Sequence, residues 1–331
     1  MSTILAVDGG GAKTDAALVR DDGALLGFAR GPLSHPHRIG VEASADVIDM
    51  LAAEVGAPAD LAVVLLAGLD FSDEEEAYET EVARRGWAAR VVVGNDTFAV
   101  LRAGSERGWG VAVTCGAGIN CVGVGPDGRR VRFPSLDEWS GDWGGGYDVG
   151  RAAVWAAARS EDGRGPRTAL ERLVPAFFGL ETPVELARAL HDGRVPPPRV
   201  AELPPLVFAA ASDDATAAGI VDRLADEVVA LARAALTRLD LTRETVDIVL
   251  GGGLLQSGNA RLLGRIEAGL HEVGPRLSVH PSPSPPIVGS ALVGLDELGA
   301  PPKAQARVRA ELGDAVARLG ADARTPIPQS L

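Results

Sequence analysis

Asp8 stands at the end of the apolar run Ile4–Val7 and is followed by Gly9, Gly10, Gly11, Ala12, Lys13 and Thr14. One acid, three glycines, a lysine and a hydroxyl in that order are phosphate-binding chemistry. Glycines without a β-carbon let backbone N–H groups close around an anion, Lys13 adds a point charge, and an acid at a strand end can hold the water shell of a metal ion. Residues 111–124 repeat the theme as strand, turn and strand, with Thr114, Cys115, Gly116, Ala117, Gly118, Ile119 and Asn120 between two apolar runs. Two such hairpins read as two jaws around one nucleotide. A third glycine turn, Gly251, Gly252 and Gly253, follows an apolar strand over 247–250 and precedes a helix expected over about 259–272.

The elements that must position these groups alternate in an α/β fashion. Ile4–Val7, Ala16–Val19 and Leu25–Arg30 read as the strands of a meander. A helix over about 43–55, a fully apolar strand over 61–66, a helix over 73–84 and a strand over 90–93 follow. Asp73, Glu74, Glu75 and Glu76 open their helix at its positive dipole end, where acids are favourable, so this acidic run reads as structural. From Gly108 the plan restarts with the second hairpin, a short strand over 130–133 and a Gly-rich segment over 140–150, implying two halves of similar design. A helical region over 149–239, broken by Pro196–Pro198 and by Pro204 and Pro205, precedes the third turn. Residues 281–286 read as a stiff connector, 288–298 as a short helix, and 303–319 as an amphipathic helix before a frayed tail. The division expected is 1–107 for an N-terminal α/β lobe, 108–298 for a second lobe with a helical insertion, and 299–331 for a last helix and tail. Helix 287–298 is placed so that it can pack back on the first lobe.

At 331 residues the chain is long enough for two domains, each with a sizeable core. Hydrophobic residues make up 46%, yet no apolar run reaches the roughly 18 residues of a membrane span. The first strand begins near residue 4 and leaves no room for a signal peptide, so a cytoplasmic protein without a membrane partner is expected. A formal charge of −13 and a pI near 4.9 argue against nucleic acid as a partner, because binding to its backbone relies on clustered Lys and Arg. Cys115 and Cys121 fall on facing strands of one hairpin, which fits reduced core residues better than a disulfide framework or a zinc site.

Three glycine turns in this order resemble the phosphate-1, phosphate-2 and adenosine segments of the actin, hexokinase and Hsp70 superfamily. Asp8–Asp15, the Gly94-Asn95-Asp96 turn, Gly116–Asn120, Gly141–Gly146 and Gly251–Gly253 together resemble the N-acetylglucosamine kinase branch of the BadF/BadG/BcrA/BcrD ATPases, over most of the chain to about Leu298. The order of five motifs is far more specific than any one of them. The fold this implies is α/β, two ribonuclease H-like lobes with a nucleotide cleft between them. The activity implied is ATP-dependent phosphorylation of a sugar hydroxyl, on N-acetylglucosamine or a related hexose, with ATP and Mg2+ as cofactors and a homodimer as the assembly.

Carried over residue by residue, the resemblance makes Asp96 the general base and Asp8 the metal-side acid. Gly9, Gly10, Gly11, Ala12, Lys13, Thr14, Gly116, Ala117, Gly118, Ala211, Gly252 and Gly253 become nucleotide contacts. Asn120, Gly141, Asp142, Gly144 and Gly145 become sugar contacts, and His35 takes a position where the resemblance places an asparagine. A carboxylate accepting two adjacent hydroxyls would fix a hexose, and a second one could take the hydroxyl proton as phosphorus is attacked. Plainer roles compete. Asp96 could cap the helix starting near Thr97, Asn120 could satisfy its own turn, and Asp148 reads as the cap of a helix beginning at Val149. His37 reads as a surface residue, and Trp139 and Trp143 could pack or stack on a sugar face.

Two phosphate-facing hydroxyls of the family pattern are missing, at Ala12 and Ala117, and Trp143 and Gly145 replace an acid and a hydroxyl. These departures keep two other readings open: a nucleotide- or sugar-binding sensor without turnover, and the activating ATPase of a dehydratase or reductase system, whose cluster-holding cysteines this chain lacks. A neutral hydrogen bond is worth about 0.5–1.5 kcal/mol, so the Ala12→Thr variant should bind ATP roughly two- to tenfold more tightly. Titration calorimetry measures it, and unchanged affinity would mean another group already fills that role.

Overall fold

The computed structural model describes residues 1–322, and the tail expected at the end of the chain falls outside the described residues. The chain divides into two compact units, Met1–Gly110 with the residues from Ser282 onward, and Val111–Pro281. The second unit thus ends at Pro281, earlier than the 298 expected from the sequence.

The first unit opens with β1 (Thr3–Gly9), β2 (Thr14–Arg20) and β3 (Leu25–Gly31), then α1 (Pro36–Ile39), α2 (Val41–Val55), β4 (Ala59–Leu66), α3 (Ser72–Arg85), β5 (Ala88–Asn95) and α4 (Thr97–Gly104). The sheet order is β3-β2-β1-β4-β5. β1 and β2 pair antiparallel with Asp8 opposite Asp15, whereas β1 pairs parallel with β4 and β4 with β5, aligning Gly9 with Leu66 and Leu66 with Asn95. Strand β1 is buried on both faces, so it reads as an unbroken apolar run. Leu5 and Val7 face Ile48 and Leu51 of α2 and Tyr78 and Val82 of α3.

The second unit contains β6 (Gly110–Cys115), β7 (Ile119–Val124), β8 (Arg130–Arg132), α5 (Gly145–Glu161), α6 (Leu170–Phe177), α7 (Pro183–His191), α8 (Pro204–Ala210), α9 (Ala215–Arg238), β9 (Val246–Gly251), α10 (Ala260–Val273) and β10 (Leu277–Pro281). Its order, β10-β9-β6-β7-β8, repeats the first sheet: a meander whose first strand pairs with a parallel ribbon. Strand β10 is absent from the elements expected from the sequence; it is a short partner of β9 with polar residues at Ser278 and His280 and a closing proline. Helix α9 is capped by Asp214, which accepts from Ala217 N at 2.8 Å, and α10 by Asn259, which accepts from Leu262 N at 2.9 Å.

The chain then returns to the first unit as α11 (Pro286–Glu297) and α12 (Pro302–Asp322). Ile287, Val288, Leu292 and Leu295 of α11 and Val308 and Leu312 of α12 cover the other face of the first sheet, against Ile4, Ala6, Leu61 and Val63. Among the described residues no helix is long and apolar enough to cross a membrane.

Arg102, 6% exposed, ties α4 to both returning helices. Its Nε and Nη2 donate to Asp296 at 2.5 and 3.0 Å, Nη2 also to Gln305 at 3.0 Å, and Nη1 to the Ser105 carbonyl at 3.1 Å. Removing the carboxylate leaves a buried guanidinium short of acceptors, and because Asp296 is itself partly exposed the cost sits below that of a fully buried pair. Asp296→Ala should lower stability by about 2 kcal/mol in urea unfolding, while an unchanged midpoint would show that Arg102 finds water instead.

Candidate functional site

Parallel pairing of β1, β4 and β5 brings their C-terminal ends to one edge of the first sheet, where α/β proteins place their ligands. Asp8, 9% exposed, lies there at the end of β1. Asp96 follows β5, its N–H donating to Leu66 O at 3.2 Å. Between them a turn after β4 delivers Asp70, only 3% exposed, which is not among the residues expected from the sequence. Its signal was the one that exposed Asp8, an acid just beyond an apolar strand, weakened here by the intervening Ala67, Gly68 and Leu69.

The electrostatics of this edge follow from crowding acids away from water. Burial is the main reason that the Asp8 carboxyl titrates well above the usual range, with the Asp96 and Asp15 charges adding to it. Burial, then Asp70, pushes Asp96 up to about 7. The Asp96 side chain does not cap α4. Asn95 does so, accepting from Thr97 N at 2.9 Å. Asp96, a residue of intermediate exposure, therefore keeps a carboxyl whose pKa is suited to proton transfer near neutral pH.

The first glycine turn closes with Gly10 N donating to Lys13 O at 2.9 Å. Gly9 and Gly11 flank it, and Ala12 lies exposed at its tip. Two of the side chains expected to meet phosphate have partners within the fold. Lys13 Nζ is fixed on Asp15 at 2.8 Å, beside Arg30, which donates to the same carboxylate at 2.5 and 2.9 Å. The Thr14 hydroxyl is buried and donates to Ser34 at 2.7 Å, so it serves the sheet and not the turn. A cation not expected from the sequence, Arg38, reaches Gly11 O at 3.2 Å.

His35 precedes α1 with its ring against Gly68 and its Nδ1 buried without a partner. Burial, then Arg38, lowers it to about 4, so the imidazole is neutral at pH 7. His37 is exposed, as expected, and its Nε2 lies 2.6 Å from Glu74.

In the second unit three glycine segments distant in sequence converge. Gly116, Ala117 and Gly118 form the turn of the β6–β7 hairpin, and the first turn of α5 is bound to it, with Gly146 N donating to Gly116 O at 2.8 Å and Tyr147 N to Ala117 O at 3.1 Å. Gly145 has φ +76°, and a β-carbon there would lie 2.4 Å from Ala117 O. Gly252, with φ +81°, stands equally close to Cys115 O, whose carbonyl also accepts from Leu254 N at 3.1 Å. Only glycine fits at either position. Because α5 starts at Gly145, Asp148 is not its cap; it lies within the first turn and accepts from Gly144 N at 3.0 Å.

Asn120 Oδ1 accepts from Cys121 N at 2.7 Å, the turn-satisfying role. Asp142 accepts from Ser140 Oγ at 2.6 Å beside Gly141, and burial raises its pKa. Trp143 packs under Arg223, whose guanidinium carbon lies 4.0 Å from the ring centre, while Trp139 is 86% exposed. Cys115 and Cys121 are free and buried, which pushes both thiols up. A cavity of about 320 Å³ opens between Pro204, Pro205, Phe208 and Ala209 on α8 and the loop from Gly253 to Asn259. Ala211 is buried just after α8, next to this lining. Among the described residues no three His, Cys, Asp or Glu side chains converge into a metal cage.

The model of the BadF/BadG/BcrA/BcrD ATPase family matches residues 5–294. The chain is 26% identical over 267 residues to an N-acetylmuramic acid/N-acetylglucosamine kinase of Clostridium acetobutylicum, covering 78% of this chain and 87% of the relative. It is 23% identical over 314 residues to an N-acetyl-D-glucosamine kinase of Dictyostelium discoideum, covering 88% and 97%. Among solved structures, a candidate N-acetylglucosamine kinase from Chromobacterium violaceum shares the fold with a TM-score of 0.69 and 26% identity, over 88% of this chain and 99% of that one.

The raised Asp96 pKa carries a sign for stability. Its folded value of about 7 lies above the ordinary 3.8, so between these values the folded protein holds more protons than the unfolded chain, and stability falls as pH rises through that window. Asp96→Asn should therefore raise the melting temperature by several degrees at pH 8, with the gain shrinking toward pH 4. A lower melting temperature at pH 8 in scanning calorimetry would contradict it.

Proposed function

The chain belongs to the BadF/BadG/BcrA/BcrD ATPase family, and from that premise we propose that it is an ATP-dependent kinase phosphorylating a hydroxyl of an amino sugar such as N-acetylglucosamine. The observation carrying the reading is Asp96: a carboxyl at the parallel-strand edge, pushed up to about 7. Phosphoryl transfer needs little covalent chemistry from the protein. It needs an oriented acceptor hydroxyl, a group to take its proton, and charge stabilisation around the phosphates.

In the first unit Asp96 takes the acceptor proton, and the turn over 9–12, with Arg38 beside it, offers backbone N–H groups and positive charge to phosphate. Asp8 is the residue that would hold a magnesium ion. The raised pKa of its crowded carboxylate fits a site completed by a divalent cation, and magnesium held through one carboxylate, water and substrate phosphates needs no protein cage. That ion would neutralise developing phosphate charge. In the second unit the hairpin turn over 116–118 and the N-terminus of α5, a helix of 17 residues, supply N–H donors and a positive dipole end for phosphate. The cavity lined by Phe208, Ala209 and Gly253 has the size and apolar walls for an adenine base. Asp142, Asn120, Gly141 and Gly144 in the second unit and His35 in the first are assigned to the sugar. A neutral His35 can donate or accept through Nε2 while its buried Nδ1 cannot reach water.

The test is ADP release from ATP and Mg2+ with a panel of amino sugars and hexoses. At least one sugar should stimulate release and yield a phosphorylated product; ATP binding with no product from any of them would refute the kinase reading. Asp96→Asn should lower kcat by about 10²–10⁴ with ATP affinity within a few fold. Wild-type kcat should rise with pH as Asp96 loses its proton near 7 and level off above it.

A further inference from the structure

We propose that Asp70 is the positioning residue for Asp96, acting through Asn95. The proposal rests on the assignment of Asp96 as the base. Asn95 and Asp70 are 1% and 3% exposed, so their mutual contact is made away from water. Asn95 Nδ2 donates to Asp70 Oδ1 at 3.0 Å, and Asn95 Oδ1 accepts from Thr97 N at 2.9 Å. An ionised carboxylate accepts only, which dictates which way the Asn95 amide points. The amino group turns to Asp70, with a longer contact of 3.4 Å to the Leu69 carbonyl, and the amide oxygen is thereby presented to the first N–H of α4. With Asp96 N on Leu66 O and Asp96 O accepting from Ala99 N at 3.0 Å, the backbone of Asp96 is clamped on both sides by groups that Asn95 keeps in register.

Asp70 is itself held from behind. Glu74 Oε2 accepts from Asp70 N at 2.8 Å and from Phe71 N at 3.0 Å, while Glu74 Oε1 lies 2.6 Å from His37 Nε2. A continuous hydrogen-bonded path therefore runs from α3 through Asp70 and Asn95 to the start of the helix that bears Asp96. Asp70 also places a negative charge near Asp96 from the β4 side, so it sets the field in which the base works as well as its direction. Nothing about this arrangement requires Asp70 to touch either substrate.

The experiment compares Asp70→Ala and Asp70→Asn in the full chain, with Asp96→Asn alongside. Asp70→Ala should lose kcat at least thirtyfold with KM for sugar and ATP within about threefold, because aim is lost and not binding. Asp70→Asn can still offer an amide oxygen to Asn95, so it should keep kcat within about threefold at pH 8.5, with the rising limb of its pH profile displaced to lower pH. An Asp70→Ala variant with wild-type kcat overturns the proposal. So does an Asp70→Asn profile that does not move, which decides the matter even if Asp70→Ala fails to fold. Activity lost in both variants in proportion to the folded fraction, read by circular dichroism, would reduce Asp70 to a structural residue. An active Asp96→Asn would refute the base assignment itself and this proposal with it, whereas an inactive Asp96→Asn beside unaffected Asp70 variants leaves that assignment standing.

Discussion

Parallel pairing of β1 with β4 and of β4 with β5 is the constraint on which the first unit depends. Strands that run the same way must end at the same edge, and residues at or soon after each end are delivered there whatever their chemistry. In this chain those residues are Asp8, Asp70 and Asp96. The sheet can hold such like charges together because both its faces are covered, one by α2 and α3 and the other by α11 and α12, so the backbone beneath them cannot relax away. Rigidity from the core is what allows unfavourable electrostatics at the edge to persist.

The neighbouring cations do not relieve that strain evenly. Lys13 and Arg30 both converge on Asp15, which becomes a fully compensated buried carboxylate, while burial and like charge dominate at Asp8 and Asp96. A charge that is compensated within the protein is inert. One that is not remains available for a cation or for a proton from outside. The difference between Asp15 and Asp8, which face each other across one register pair of β1 and β2, is thus a difference in role produced by a few ångströms of side-chain geometry.

Most of the strand and helix plan was legible because its signals are local. Unbroken apolar runs marked β1 and β4, glycine turns marked the hairpins, and Asn259 marked the start of α10, where its side chain caps the helix. What escaped depends on contacts between distant segments. Asp70 reads as a loop acid until Asn95 closes on it. Strand β10 has too few apolar positions to announce itself without β9 beside it. Helix α5 starts four residues before the Val149 expected, because Gly145 and Gly146 read as loop and only the carbonyls of Gly116 and Ala117 draw their neighbours into a helical turn. The partners of Lys13 and Thr14 escaped for the same reason: their types suit phosphate, and only the folded sheet shows Asp15 and Ser34 beside them.

The two sheets share one strand order, yet their edges carry different chemistry. Where β1, β4 and β5 lead to Asp8, Asp70 and Asp96, the equivalent strands β6, β9 and β10 end at Cys115, Gly251 and Pro281, with Gly116 and Gly252 next in line after the first two. The first edge carries carboxylates beside the Gly9–Gly11 turn, whereas the ends of β6 and β9 carry glycine backbone. A repeated plan lets the same parallel-strand geometry present different groups in its two copies. The helix starts sharpen the division. Helix α4 begins with Asn95 accepting from Thr97 N and Asp96 beside it, whereas α5 begins with glycines whose amides lie against the turn of the second hairpin, so the same fold element exposes a carboxylate residue in one copy and backbone in the other.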